Sequence, residues 1–282
     1  MTEAFYLPLD ESAPGGSAVA GVYRSTGHTR GPWDTRHQHA GPPTALLGRA
    51  VERLGHAPSP GLLARATVEV LAPIPVADLR VEAHVLREGA KVALCEAQLY
   101  AVARADHSPH ADDPDPGVPV ARMLAWRLRT TRDPLGVPDT PVAAPPDGDG
   151  VELPRPENWG GGYVDAVEWR WVDGEFERPG PATVWTRLRV GVVDGEEPTP
   201  VQRVLAVADS GSGVSAVADP GSLYFVNTEV SVHLHREPVG DAIWMSAESV
   251  LDPHGVGMAR STLGDRHGGV GGGAQTLFLD RR

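Results

Sequence analysis

Residues 200–215 read PVQRVLAVADSGSGVS. Val201, Val204, Leu205 and Ala208 recur at three- and four-residue steps, the spacing of one buried helical face. Asp209 follows Leu205 by four residues and falls on that same face. The helix opens near Thr199, and the run Ser210-Gly211-Ser212-Gly213 is expected to loosen the chain after it. An inward carboxylate is poorly solvated, and burying one is costly unless it is paired. Asp209 is therefore the first pointer to chemistry.

Working outward, residues 164–171 alternate Val164, Ala166, Glu168 and Arg170 against Asp165, Val167, Trp169 and Trp171, a strand pattern. TVWTRLRVGV is a second strand before the helix. SLYFVNTEVSVHLHR, GDAIWMSAESVL, GVGMARSTLGD and GGGAQTLFLDRR supply four more after it. The first half has the same order of elements. A strand near SAVAGVYRST precedes one amphipathic helix made by Ala45, Leu46, Arg49, Ala50, Arg53 and Leu54. Gly41, Pro42 and Pro43 mark its opening and Gly55 its end. Four strands follow, of which DLRVEAHVLREG alternates most cleanly, and Glu88-Gly89 turns the chain between the second and third. DHSPHADDPDPG, residues 106–117, reads as an exposed loop. Residues 131–160 have no sustained periodicity and read as a linker. The expected organisation is a first domain over 1–130, a linker over 131–160 and a second domain over 161–282. Each unit is one helix beside a long antiparallel sheet, an α+β arrangement, and two such units can pair edge to edge with their helices buried.

Composition narrows the function. The chain has 282 residues and a formal net charge of -12, so nucleic acid and anionic membrane surfaces are poor partners. The single cysteine, Cys95, lies in a strand-like run and reads as a packed core thiol. No signal-peptide pattern and no membrane-length apolar run is visible, so a cytoplasmic protein with no membrane partner is expected. His37 and His39 stand two apart, but only Asp34 accompanies them, and no metal is expected. The glycine run 268–275 lacks the Lys and Ser/Thr of a phosphate loop and reads as a strand end that permits curvature. DSGSG lacks the first glycine of a serine nucleophile elbow. Trp126, Trp169, Trp171, Phe225 and Leu234 are core positions that could also line an apolar tunnel. His233 and His235 alternate on a strand and read as packing or surface residues.

The segments HQHAGPPTALLGRAVE (37–52), PVQRVLAVADSGSGVS (200–215), FVNTEVSVHLHREPVGDAIWMSAES (225–249) and GMARSTLGDRHGGVGGGAQTLFLDRR (257–282) together resemble acyl-CoA thioesterases of the double hotdog type, the thioesterase II-like family. The resemblance implies a double hotdog, two antiparallel sheets each wrapped around one central helix. It also implies an attacking water held by an Asp, a Thr or Asn, and a Gln. Those positions match Asp209, Asn227 and Gln275, with Thr228 beside Asn227 as a second candidate for substrate contact. The first-half helix, read as free of acids, implies one active site per chain. No cofactor is implied. The partner is an acyl-CoA or acyl-carrier thioester, and a homodimer of double hotdogs stays open alongside the monomer.

Thioester hydrolysis needs a positioned water, a stabilised oxyanion and a leaving thiolate. Thiols have pKa values near about 8.5, so the last step needs no strong acid. Asp209 is the expected general base, and the amides of Asn227 and Gln275 can orient a water without adding charge. The α-helix opening at HAGPP offers backbone donors, of which only Gly41 and residues from Thr44 onward carry an N–H. His39 is expected beside the substrate. Two alternatives remain: a hydratase or dehydratase of the same fold, pairing an Asp with a His, and a non-catalytic acyl-thioester binding protein.

Overall fold

The computed structural model of the chain describes residues 3–55, 58–59, 61–102, 117–155, 161–176, 178–218 and 222–281. The first half contains β1 (Ala4–Glu11), β2 (Ala18–Ser25), α1 (Gly41–Glu52), β3 (Gly61–Val70), β4 (Asp78–Arg87), β5 (Val92–Ala101) and β6 (Pro119–Arg129). Then come β7 (Val151–Glu152), α2 (Tyr163–Ala166), β8 (Val167–Asp173), β9 (Ala182–Leu188), β10 (Gly191–Val193), α3 (Pro200–Ala208) and α4 (Gly211–Val214). The last strands are β11 (Leu223–Asn227), β12 (Glu229–Leu234), β13 (Ala242–Asp252), β14 (Val256–Asp265) and β15 (Gly268–Arg281).

Alternation along the strands sets which face meets the helices. In β4, Leu79, Val81 and Ala83 are buried while Arg80, Glu82 and His84 lie toward the outside. Within each half the strands are ordered alike: β2-β4-β5-β6-β3 in the first and β9-β13-β14-β15-β12 in the second. The repeat read from element order is thus a repeat of topology. The halves meet edge to edge, with β3 antiparallel to β12 in the register Val68↔Val230 and Ala66↔Val232. The two expected sheets therefore run together as one continuous sheet. A parallel contact of β1 with β10 (Ala4↔Gly191, Tyr6↔Val193) adds a second tie between the halves.

The two long helices pack against each other inside this sheet. Gly41 through Val51 are buried, as are Val201, Val204, Leu205 and Ala208. A side chain at Gly41 would put its Cβ 2.2 Å from the Ala206 carbonyl oxygen, so glycine sets how closely α1 passes the end of α3. Arg49, read from sequence as part of an amphipathic face, is 2% exposed. It is tolerated there because its guanidinium donates to both oxygens of Glu196 (2.6 and 2.5 Å), to Glu11 (2.8 Å) and to Tyr23 Oη (3.0 Å). Cys95 is fully buried, and burial pushes its thiol up.

Several sequence expectations change in detail. The stretch read as linker carries the short strand β7, paired with β8 through Val151↔Trp171. The strand expected from Val164 begins at Val167, because Tyr163–Ala166 make a helical turn after Gly162, whose φ is 64°. Ser210–Gly213 does not loosen the chain, since Asp209 and Ser210 keep right-handed helical angles and lead directly into α4. The first-half helix ends in Glu52, so it does carry an acid. The loop expected over 106–117 lies outside the described residues except for Gly117.

The glycine-rich β15 meets β12 and β14 on either side. A Cβ at Gly271 would stand 1.9 Å from the His233 carbonyl oxygen, a backbone atom that cannot swing away. Gly271→Ala is expected to lower stability by about 1–3 kcal/mol in chemical denaturation, the range for overpacked sites. Gly213→Ala, where nothing stands within 4 Å, is the control. It should be neutral or stabilising by up to about 1 kcal/mol.

Candidate active site

The site is built at the end of α3. Thr199 caps the helix by accepting from the Gln202 N–H at 3.2 Å, and Pro200 occupies its first turn. One buried apolar face carries the chain to Asp209 at the C-cap, whose side chain keeps 3% of its exposure. The carboxylate survives there because amide donors meet one of its oxygens. Asn227, the last residue of β11, donates from Nδ2 to Asp209 Oδ1 at 2.6 Å. Gln275 on β15 donates from Nε2 to the Asp209 backbone oxygen at 2.8 Å and to Oδ1 at 3.2 Å. Its Oε1 accepts from the Ser212 N–H at 3.0 Å. Gln275 thereby bridges the C-cap carbonyl that follows α3 and a first-turn amide of α4, which holds the helical break in register.

The second oxygen faces the other half of the chain. His39 Nδ1 lies 3.1 Å from Asp209 Oδ2, and the Gly41 N–H donates to the same nitrogen at 3.0 Å. The imidazole stacks on Tyr163 with centroids 3.8 Å apart and planes 9° from parallel. Tyr163 Oη donates to the Ala206 carbonyl at 2.9 Å and lies 2.8 Å from Ser210 Oγ. Burial pushes the Tyr163 hydroxyl well up, so it stays a neutral donor. Burial also pulls His39 below the usual histidine value; the Asp209 charge opposes this only in part.

The sequence-derived candidates converge, with changed partners. Asp209, Asn227, Gln275 and His39 form one connected group. Asn227, not Thr228, reaches the carboxylate. Thr228 is exposed at the junction of β11 and β12, where its N–H donates to Thr276 and its carbonyl accepts from Val70. The Gly41 N–H, expected to face a substrate carbonyl, is committed to His39, and the Thr44 N–H to Ala40. His37 faces Asp34 at 3.5 Å rather than joining His39. Tyr163 and Ser210 were missed. The run Gly160-Gly161-Gly162 before Tyr163 was the available sign that the strand does not begin there.

His39, Tyr163, Asp209, Ser210 and Asn227 line a cavity of about 860 Å³, whose wall does not include Gln275. Its other walls include Trp33, Ile74, Trp169, Trp171, Phe176 and Phe225. Phe176 meets Trp171 edge-on at 4.9 Å, and Trp33 meets Phe225 edge-on at 5.1 Å. The cavity is thus apolar with a polar cluster at Asp209, within the usual size of small-molecule sites. Trp126 and Leu234 line a different groove with Arg65 and His233. No described helix is long and apolar enough to cross a membrane.

Comparison with known proteins places this geometry in context. The family description "Acyl-CoA thioesterase N-terminal domain" matches residues 29–128, and "Acyl-CoA thioesterase C-terminal domain" matches residues 138–279. No curated protein matches the sequence. Among solved structures, a conserved protein of unknown function with a hot dog fold from Alicyclobacillus acidocaldarius is 15% identical with a TM-score of 0.66, covering 94% of each chain. The TesB protein of Mycobacterium avium subsp. paratuberculosis is 18% identical with a TM-score of 0.62, covering 96% of each chain. Acyl-CoA thioesterase II TesB2 of Mycobacterium marinum is 13% identical with a TM-score of 0.59, covering 97% of this chain and 96% of that one. At these identities the likeness concerns the fold, which is the expected α+β double hotdog.

Gln275 joins three buried groups, so removing it leaves the Asp209 carbonyl and the Ser212 N–H without their partner. Gln275→Leu is expected to lower the free energy of unfolding by about 1–3 kcal/mol for the stranded buried groups. Urea denaturation measures it, and an unchanged midpoint contradicts the bracing role.

Proposed function

The chain belongs to the acyl-CoA thioesterase family, and from that premise we propose that it hydrolyses an acyl-CoA or acyl-carrier thioester with one water activated at Asp209. The observation that carries this reading is the asymmetry of the carboxylate. Oδ1 accepts from two amides, from Asn227 and Gln275, while Oδ2 is turned away from both. Amide donors on one oxygen orient the carboxylate and leave the other to receive a proton.

The steps follow from that geometry. Water approaches the thioester carbonyl carbon as Asp209 Oδ2 accepts one of its protons. The carbonyl end of Asn227, whose nitrogen is held by Asp209, accepts the water's other hydrogen. Gln275 serves by fixing Asp209 and the α3–α4 break, since its amide nitrogen is bound to Asp209 and its oxygen to Ser212. This is a bracing role, narrower than the water-holding one the family resemblance implied. The aromatic walls of the cavity supply apolar area for the acyl group.

The His39–Asp209 contact at 3.1 Å is also the pairing a hydratase of this fold would need. A hydratase leaves the thioester intact, so release of free thiol separates the two readings. Wild-type protein assayed across a panel of acyl-CoA lengths is expected to release thiol. Asp209→Asn, which keeps the shape but removes the base, should lower kcat by about 10²–10⁴-fold. Asn227→Ala should lower it less. Hydrated enoyl product without thiol release would favour the hydratase. Near wild-type turnover by Asp209→Asn would refute the assignment of the base.

A further inference from the structure

A base as buried as Asp209 has a problem of its own. The proton it takes from water has to leave before the next turnover, and the side chain is 3% exposed. Oδ1 is occupied by two amide donors, so the proton arrives on Oδ2. The neighbour of Oδ2 is His39 Nδ1 at 3.1 Å, and His39 lines the cavity with 15% of its side chain exposed.

Two contacts converge on His39 Nδ1. Each nitrogen of a neutral imidazole carries either one hydrogen or one lone pair. The Gly41 N–H at 3.0 Å asks Nδ1 to accept, and the Asp209 carboxylate at 3.1 Å asks it to donate; a relay from Asp209 requires the first arrangement, with the ring hydrogen on Nε2. The Tyr163 stack and the Tyr163 hydroxyl's bond to Ala206 hold the ring plane. Burial lowers the basicity of the ring, so it does not retain a proton it takes up.

Resting on the reading of Asp209 as the base of thioester hydrolysis, we propose that His39 is the proton relay of the site. Nδ1 takes from Asp209 Oδ2 the proton that came from water, and Nε2 gives its own hydrogen to the departing sulfur. The step balances. One O–H bond of water breaks and a C–O bond forms. The C–S bond breaks with its electron pair going to sulfur, and an S–H bond forms with the Nε2 hydrogen. The products are a carboxylic acid and a thiol. Asp209 returns as carboxylate, and the ring returns to its starting tautomer by exchanging protons with water in the cavity. The Gly41 N–H favours that tautomer by donating to Nδ1.

The test compares His39→Ala, His39→Phe and Asp209→Asn in thiol-release assays, with and without added imidazole. His39→Ala should lose roughly 10²-fold or more in kcat with KM within a few-fold of wild type. Imidazole should restore part of that loss. His39→Phe, which keeps a ring against Tyr163, should show the same loss without a response to imidazole, and Asp209→Asn should show none either. Nitrogen-15 NMR of the wild-type protein should find His39 with its hydrogen on Nε2. The relay is overturned by turnover of His39→Ala or His39→Phe near wild type, by a loss that lies in KM, by the absence of imidazole rescue in His39→Ala, or by an Nδ1–H tautomer in the wild type. Wild-type protein that releases no thiol sinks the hydrolase reading itself. A dead Asp209→Asn beside an active His39→Ala sinks the relay alone.

Discussion

A carboxylate buried between two halves of one chain can persist only where hydrogen-bond donors meet it, and this requirement at Asp209 organises the surrounding structure. Its donors come from the end of β11 and from β15, and its third contact comes from the segment that opens α1. Each of those elements is positioned by a different constraint. The β12–β15 pairing needs glycine at 271, the α1–α3 crossing needs glycine at 41, and the α3–α4 break needs the Gln275 bridge. The site is therefore a property of the fused pair: the second half carries Asp209, Asn227 and Gln275, while the first contributes His39.

The repeated topology makes the opposite end of the helix pair a natural comparison. There α1 ends in Glu52 against the start of α3, much as α3 ends in Asp209 against the start of α1. Glu52 accepts from Thr199 Oγ1 at 3.0 Å and from Gln202 Nε2 at 2.7 Å. Burial pushes Glu52 up while these two bonds pull it back. Its donors come from α3 itself, so the carboxylate clamps the two helices together. At Asp209 the donors come from strands and the second oxygen turns toward a histidine at a cavity wall. The same element order thus yields a structural clamp at one end and a chemically equipped site at the other.

Much of this was legible in the sequence, for reasons tied to periodicity. The three- and four-residue spacing through Val201–Ala208 located α3 and aimed Asp209 inward. Alternation located most strands, and the resemblance to double hotdog thioesterases brought Asn227 and Gln275 into view. What stayed hidden depends on contacts distant in sequence. Arg49 reads only as one position of an amphipathic helix until Glu11 and Glu196 are brought to it, from 38 and 147 residues away. Nothing local to His39 announces Asp209, and Tyr163 was hidden beside an alternating pattern that begins three residues too early because α2 takes up the start of it. The Ser210–Gly213 run looked like a loosening because composition favours a turn there, whereas Gln275 and Tyr163 hold it helical.

In the proposed reaction Asp209 activates water rather than attacking the thioester itself. A single turnover with enzyme in excess, run in water enriched in oxygen-18, distinguishes the two directly by mass spectrometry of the acid and of the Asp209 peptide. Water activation predicts that the first acid released carries one solvent oxygen and that Asp209 remains unlabelled. A first-turnover acid bearing an unlabelled oxygen drawn from Asp209, with the label appearing in that side chain, would contradict the account.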